Sequence, residues 1–183
     1  ACQVPPVQTA RLPADAVQAG AADPDRAAIL ATAHAFGAPG TLAGRPADAA
    51  RAVANLEYLA ASLPTDPRWF GMNPTVGLSL ARGRDEARAA LGIAPDAPPQ
   101  PVIDRLYAAS RALRAQDRTA AETTLAGAPF TAGGAGTLTR LAALPALPRA
   151  NEAGALALAE LWRLQDQGRE GGAGGGEGGG AHP

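Results

Sequence analysis

The sequence predicts an all-α fold, a compact bundle of about five to six helices. Apolar residues recur at intervals of three and four along most of the chain, most clearly at Ala49, Val53, Leu56, Leu59 or Ala60, and Leu63. No stretch alternates Val, Ile, Thr or aromatic residues in the way a half-buried strand requires. The apolar fraction is 46% but aromatics are only 4%, with alanine supplying much of the difference. A core made of such small side chains needs backbones that approach closely, and packed helices provide this. At 183 residues one domain is expected.

The first helix is predicted in "DPDRAAILATAHAFGAPG", where Asp23 can cap, Pro24 suits the first turn and Gly37 can stop the run. The second is "RPADAARAVANLEYLAASL", with Pro46 near its start. "PTDPRWFGMNP" then breaks the chain, and Asn73–Pro74 can open a third helix ending at Gly92. Gly77 and Gly83 weaken its middle by about 1 kcal/mol each against alanine, which predicts a bend or two shorter pieces.

After the linker "IAPDAPPQP", Val102, Leu106, Ala109 and Leu113 mark a fourth helix, and Asp117 can cap a short fifth one that ends near Leu125. This hairpin is similar in outline to one tetratricopeptide unit. It lacks that family's Trp, Gly and Tyr positions and has no second copy, so it reads as a generic helical hairpin. "FTAGGAGT" reads as loop, with Thr137 capping a helix that ends by Pro145. A last helix runs from about Asn151 to Asp166 and stops at Gly168; its apolar residues cover more than one face, so it is expected at the centre of the bundle. The predicted organisation is a flexible linker over 1–22, a helical domain over 23–167 and a disordered Gly-rich tail over 168–183.

Charge narrows the function classes. Seventeen acids face sixteen basic residues, for a net charge of -1, so there is no overall field to gather nucleic acid, and nucleic acid is not expected as a partner. All the basic residues are arginine. Without lysine there is no Schiff base, no lysine general base and no lysine-bearing phosphate loop. No apolar run is long enough to span a bilayer.

Cys2 is the chain's single cysteine. It follows Ala1 and precedes the Pro-, Ala- and Gln-rich stretch "QVPPVQTARLPADAVQAGAADPD". The pair Ala1–Cys2 resembles the processing site of bacterial lipoproteins, in which a small residue precedes the cysteine that carries the lipid. The resemblance implies lipid attachment at Cys2, a location in the periplasm or cell envelope, and a membrane partner reached through acyl chains rather than a transmembrane helix. The competing reading is an ordinary terminal thiol.

Several groupings of side chains could carry chemistry. "GLSLA", residues 77–81, approaches the nucleophile elbow of α/β-hydrolases at Ser79, but the pattern before it is helical and the only downstream histidine is His182 in the tail. "TAGGAGT", with Arg140 one turn on, could offer amides to an anion, though a plain connector explains it as well. His34 has no Cys, His or acidic companion at ligand spacing and reads as a partly buried structural residue; no metal or other cofactor is expected. Arg111, Arg114 and Arg118 form a ridge expected to be balanced by Asp104 and Asp117, and Asp85 and Glu86 are expected to pair with Arg82 and Arg88.

"PRWFGMNP" is the remaining feature. Arg68, Trp69, Phe70 and Met72 gather, between prolines, residue types that are enriched in binding hot spots. They read as a plug closing one end of the bundle or as an exposed epitope, and they are the candidate partner-binding residues. Three functions follow in order: a non-catalytic, membrane-tethered accessory or interaction protein with a protein partner; a carrier or sensor of a small apolar ligand in a pocket lined by Leu56, Leu106 and Trp162; and a hydrolase using Ser79 or His34.

Overall fold

The computed structural model describes residues 9–16, 23–38 and 40–173, with the side chains of 170–173 excepted. Among these residues there are seven α-helices and no strand: α1 (Pro24–Gly37), α2 (Pro46–Ser62), α3 (Thr75–Leu91), α4 (Pro99–Arg114), α5 (Arg118–Thr124), α6 (Gly133–Ala142) and α7 (Pro148–Ala173). A 3₁₀ turn, Pro67–Trp69, lies between α2 and α3. Cys2 and His182 lie outside the described residues.

The caps form where side-chain chemistry placed them. Asp23 accepts from the amides of Asp25 and Arg26, at 3.0 and 3.4 Å. Asn73 accepts from Thr75 N and Asp117 from Ala120 N, both at 2.9 Å, satisfying amides that a helix start leaves open. Gly92 ends α3 in the left-handed region at φ 71°.

α2, not α7, is the central helix. It packs against α1, α3, α4 and α6, and every residue from Ala52 to Leu59 is buried. Alanines fill the positions outside its apolar stripe, so neighbours can close on it from all sides, and its polar residues Asn55, Glu57 and Tyr58 are buried with partners. α7 packs on α1 and α3, and its outer face carries charged residues with Trp162, which is 43% exposed beneath Arg26 at 5.3 Å from the ring centroid.

α3 is one unbroken helix. The expected bend is absent because Gly83 is a contact surface: a Cβ there would stand 3.0 Å from Ala150 Cα, so the missing side chain lets α7 lie against α3. Gly154 does the same for α7 against Ala33 of α1, at 3.1 Å. These approaches bring backbone atoms of neighbouring helices into contact and increase packing where large side chains are scarce.

Two boundaries differ from the sequence expectation. α6 begins at Gly133, whose φ of +69° starts the helix four residues before Thr137, and Thr137 is buried within it. α7 passes Gly168 and continues to Ala173; one glycine costs only about 1 kcal/mol in a helix that neighbouring turns already support. At the other end, residues 9–16 lie on the bundle. Gln100 brackets Arg11 through Arg11 N and O, at 2.8 and 3.0 Å, Arg111 pairs with Asp15 at 3.1 Å, and Ala16 is buried.

Candidate functional site

Backbone turns and side chains together hold the stretch between α2 and α3. Asp66 accepts from Arg68 N at 2.9 Å and pairs with the Arg68 guanidinium at 2.8 Å. The hydrogen bond from Arg68 holds the Asp66 carboxyl below its usual range. Met72 N closes on Trp69 O at 2.8 Å. From the far side, Asn73 N donates to Glu160 of α7 at 3.0 Å, and Arg163 donates to Gly71 O at 2.8 Å. Glu160 and Arg163 also pair with each other at 2.7 Å, and the arginine's hydrogen bond lowers the Glu160 pKa.

Asp25 is the hub. Its carboxylate, in the first turn of α1, is fully buried. One oxygen accepts from the Tyr58 hydroxyl of α2; the other accepts from Trp69 Nε1 at 2.7 Å and from the Arg68 guanidinium. Burial, then the hydrogen bond to Asp25 and its charge, push the Tyr58 pKa well up. Asp23 adds a looser contact to Arg68 at 3.5 Å. Two helices and the 3₁₀ turn thus meet on one carboxylate.

This network splits the four sequence candidates. Trp69 packs against the core through its ring while its indole N–H is fixed by Asp25, and Met72 is buried. Arg68 is half-exposed but tied to Asp25 and Asp66. Phe70 is 71% exposed, the most open large apolar side chain among the described residues. It stands at a cleft of 220 Å³ with Pro64, Met72, Pro74 and Gly77 among its walls. Trp69 and Met72 therefore act as the plug, and Phe70 is left in water by a segment that is otherwise pinned.

The remaining candidates separate from one another. Ser79 lies inside α3 and lines a cleft with Arg82, Arg149 and Glu152; no strand precedes it, and among the described residues no hydrogen bond joins it to a base. His34 is exposed, not partly buried, at a different cleft between α1 and α2. Leu56 and Leu106 are fully buried while Trp162 is on the surface, so the three do not line one pocket. Among the described residues no group of three acidic, His or Cys side chains gathers for a metal. Arg140 lies against Gly92, whose carbonyl accepts from the amide and hydroxyl of Thr131 at 2.8 and 2.9 Å. The arginine ridge is balanced, but by Asp15, Asp48 and Glu122. Asp104 instead accepts from Gln100 and Asp117 caps α5.

Two charged residues, Arg88 and Glu57, are in the core. Arg88 does not pair with Asp85 or Glu86. Its Nε and terminal nitrogen donate to Glu57 of α2, at 2.6 and 2.7 Å, and it also donates to Pro95 O at 2.8 Å. Glu86 instead accepts from Arg149 N and Ala150 N at the start of α7, at 2.9 and 3.0 Å. Comparison of the chain with protein families, with curated proteins and with solved structures finds no match, so its chemistry is read from this geometry alone.

Proposed function

We propose that the protein is a non-catalytic, extracytoplasmic helical interaction protein, attached to a membrane through lipid on Cys2 and docking a partner protein through Phe70. The observation that carries the docking is the contrast between Phe70, 71% exposed, and the segment around it, fixed by Asp25, Glu160 and Arg163. An aromatic ring held rigidly in water loses little conformational entropy when it is covered, which is how hot-spot residues work. The adjacent cleft, walled by Pro64, Pro74 and Gly77, would take an apolar side chain of the partner beside the ring. The tether rests on the sequence pair Ala1–Cys2 and the proline-rich stretch that follows.

Phe70→Ala tests the docking. Its side chain contributes little to the core, so the midpoint of thermal unfolding is expected to stay within about 2 °C. A photo-crosslinking residue at position 70 is expected to join a membrane-associated protein that position 30, also apolar and partly exposed, does not join. In the untagged complex, Phe70→Ala is expected to weaken association by about tenfold or more. Unchanged association, or identical adducts from both positions, would reject the docking. For the tether, intact mass is expected to show a diacylglyceryl increment on Cys2, and Cys2→Ser is expected to move the protein from the membrane fraction to the soluble one.

A further inference from the structure

The cleft between α1 and α2 takes no part in the Phe70 site. Its apolar wall is made of Ala31, Ala35, Leu42 and Ala52, and it encloses 240 Å³. Asn55, which also lines it, is only 3% exposed. The Tyr107 hydroxyl donates to Asn55 Oδ1 at 2.5 Å, so the amide oxygen is committed on the core side. The Asn55 NH₂ group is left without an acceptor among the described residues, at the cleft. The Asn55 nitrogen is not one of the fully buried side-chain atoms left without a partner; it keeps access to the cleft, where it can donate to a ligand.

One turn back along α2, Arg51 holds a fixed position on the same wall. It donates to Ala16 O at 2.5 Å and lies 5.9 Å over the Tyr107 ring, with guanidinium donors left over. The wall's carboxylate, Asp48, is already paired with Arg114 at 2.9 Å. Arg45 stands at the other end, ten residues or roughly 15 Å along α2 from Asn55, and His34 of α1 also lines the cleft. Arg45 has no ion pair among the described residues, so the cleft carries uncompensated positive charge at both ends.

We propose that this cleft binds a small organic carboxylate, with its carboxyl group accepting from the Asn55 amide and Arg51 and its apolar body against Ala31, Ala35, Leu42 and Ala52. Donors fixed in place before binding, one buried and one charged, recognise an oxyanion. The methyl-lined wall excludes a strongly hydrated inorganic ion and rewards a short hydrocarbon or ring. Arg45 draws the anion toward the mouth without touching its carboxyl group.

Benzoate is the probe, with benzyl alcohol as its neutral counterpart, titrated into the full chain while the Asn55 side-chain amide and the Ala52 methyl are followed by NMR. Benzoate is expected to shift both signals saturably with a dissociation constant on the order of 1 mM, and benzyl alcohol to bind about tenfold more weakly. Asn55→Asp keeps the acceptor for Tyr107 and replaces the donor with a like charge, so it is expected to abolish the response. Arg51→Gln, at a half-buried position, is expected to weaken binding about tenfold and serves if Asn55→Asp fails to fold. Arg45→Ala is expected to change affinity less than about threefold. No saturable shift at Asn55, equal binding of the alcohol, or a loss with Arg45→Ala as large as with Arg51→Gln would overturn the assignment.

Discussion

Replacing Arg88 with methionine is expected to destabilise the fold by about 4 kcal/mol at neutral pH, measured by urea unfolding. Arg88 is 2% exposed and Glu57 fully buried, so the variant strands a carboxylate in the core and frees the Ala94 and Pro95 carbonyls that the guanidinium bonds. Even with Arg88 present, burial raises the Glu57 pKa above its ordinary 4.5 against the pull of that arginine; without Arg88 the rise is larger. The sign follows from proton linkage. Between its unfolded pKa and a higher folded one, Glu57 holds more protons in the native state, so its stability contribution is complete below about 4.5 and declines as pH climbs through the folded value. The gap between variant and parent is therefore expected to narrow as pH falls from about 7 toward 5. Glu57→Gln in the same background should remove most of that pH dependence. Replacing both partners, with Glu57→Leu and Arg88→Met, is expected to cost far less than Arg88→Met alone, because no charge is left unpaired. A cost of Arg88→Met that stays constant across pH would show that lost packing, not a stranded carboxylate, is responsible.

The same pair marks where the sequence stops being legible. Propensity, caps and breakers place most of the helices, about five to six expected against seven among the described residues, because those signals are local: Asp23, Asn73 and Asp117 can satisfy open amides only where helices begin. Charge partners are not local. Assigning Arg88 to Asp85 or Glu86 applies the helix-spacing rule, yet Arg88 sits eight residues after Leu80 and next to Ala87, inside the buried stripe of α3. Asp25 likewise shares its face with Ala28, Ile29 and Thr32. A charge in register with an apolar stripe is the signal that was available for both, and it announces burial without naming the partner, which lies 31 to 44 residues away.

Composition was informative about packing but not about which helix is central. Alanine surrounds the stripe of α2 and allows contact on every side, whereas the leucines of α7 are interleaved with Arg163 and Asp166, which stay at the surface. Counting apolar residues around a helical wheel favours α7; asking which polar residues could be paired inside favours α2. The "PRWFGMNP" stretch was legible as a cluster and not as a geometry. That Trp69 faces in while Phe70 faces out depends on an acceptor in α1, and nothing in the loop itself encodes it.

That dependence makes Asp25→Ala the second large effect, expected at about 3 kcal/mol. Tyr58 is 6% exposed, so its hydroxyl loses its acceptor in a place water reaches poorly, and the Trp69 indole N–H loses its own acceptor. Arg68, with half its side chain in solvent and Asp66 still 2.8 Å away, can rehydrate and adds little to the total. Asp25→Asn retains one acceptor oxygen and is expected to cost roughly half as much. Alkaline titration gives an independent reading. The raised Tyr58 pKa means that its neutral form contributes stability in full below about 10, its ordinary value, and loses it as pH rises toward the folded value. Removing the Asp25 charge and hydrogen bond reduces that shift, so the fall in stability above about pH 10 is expected to be shallower in Asp25→Ala. Hydrogen exchange should accelerate first in the amides of residues 68–73, ahead of α4 and α5, because these amides sit on the segment that the carboxylate anchors. If Phe70 docks a partner through a pre-fixed ring, Asp25→Asn will weaken that association although Phe70 is intact. Equal affinity with a loosened segment would mean that the ring is ordered by the partner instead.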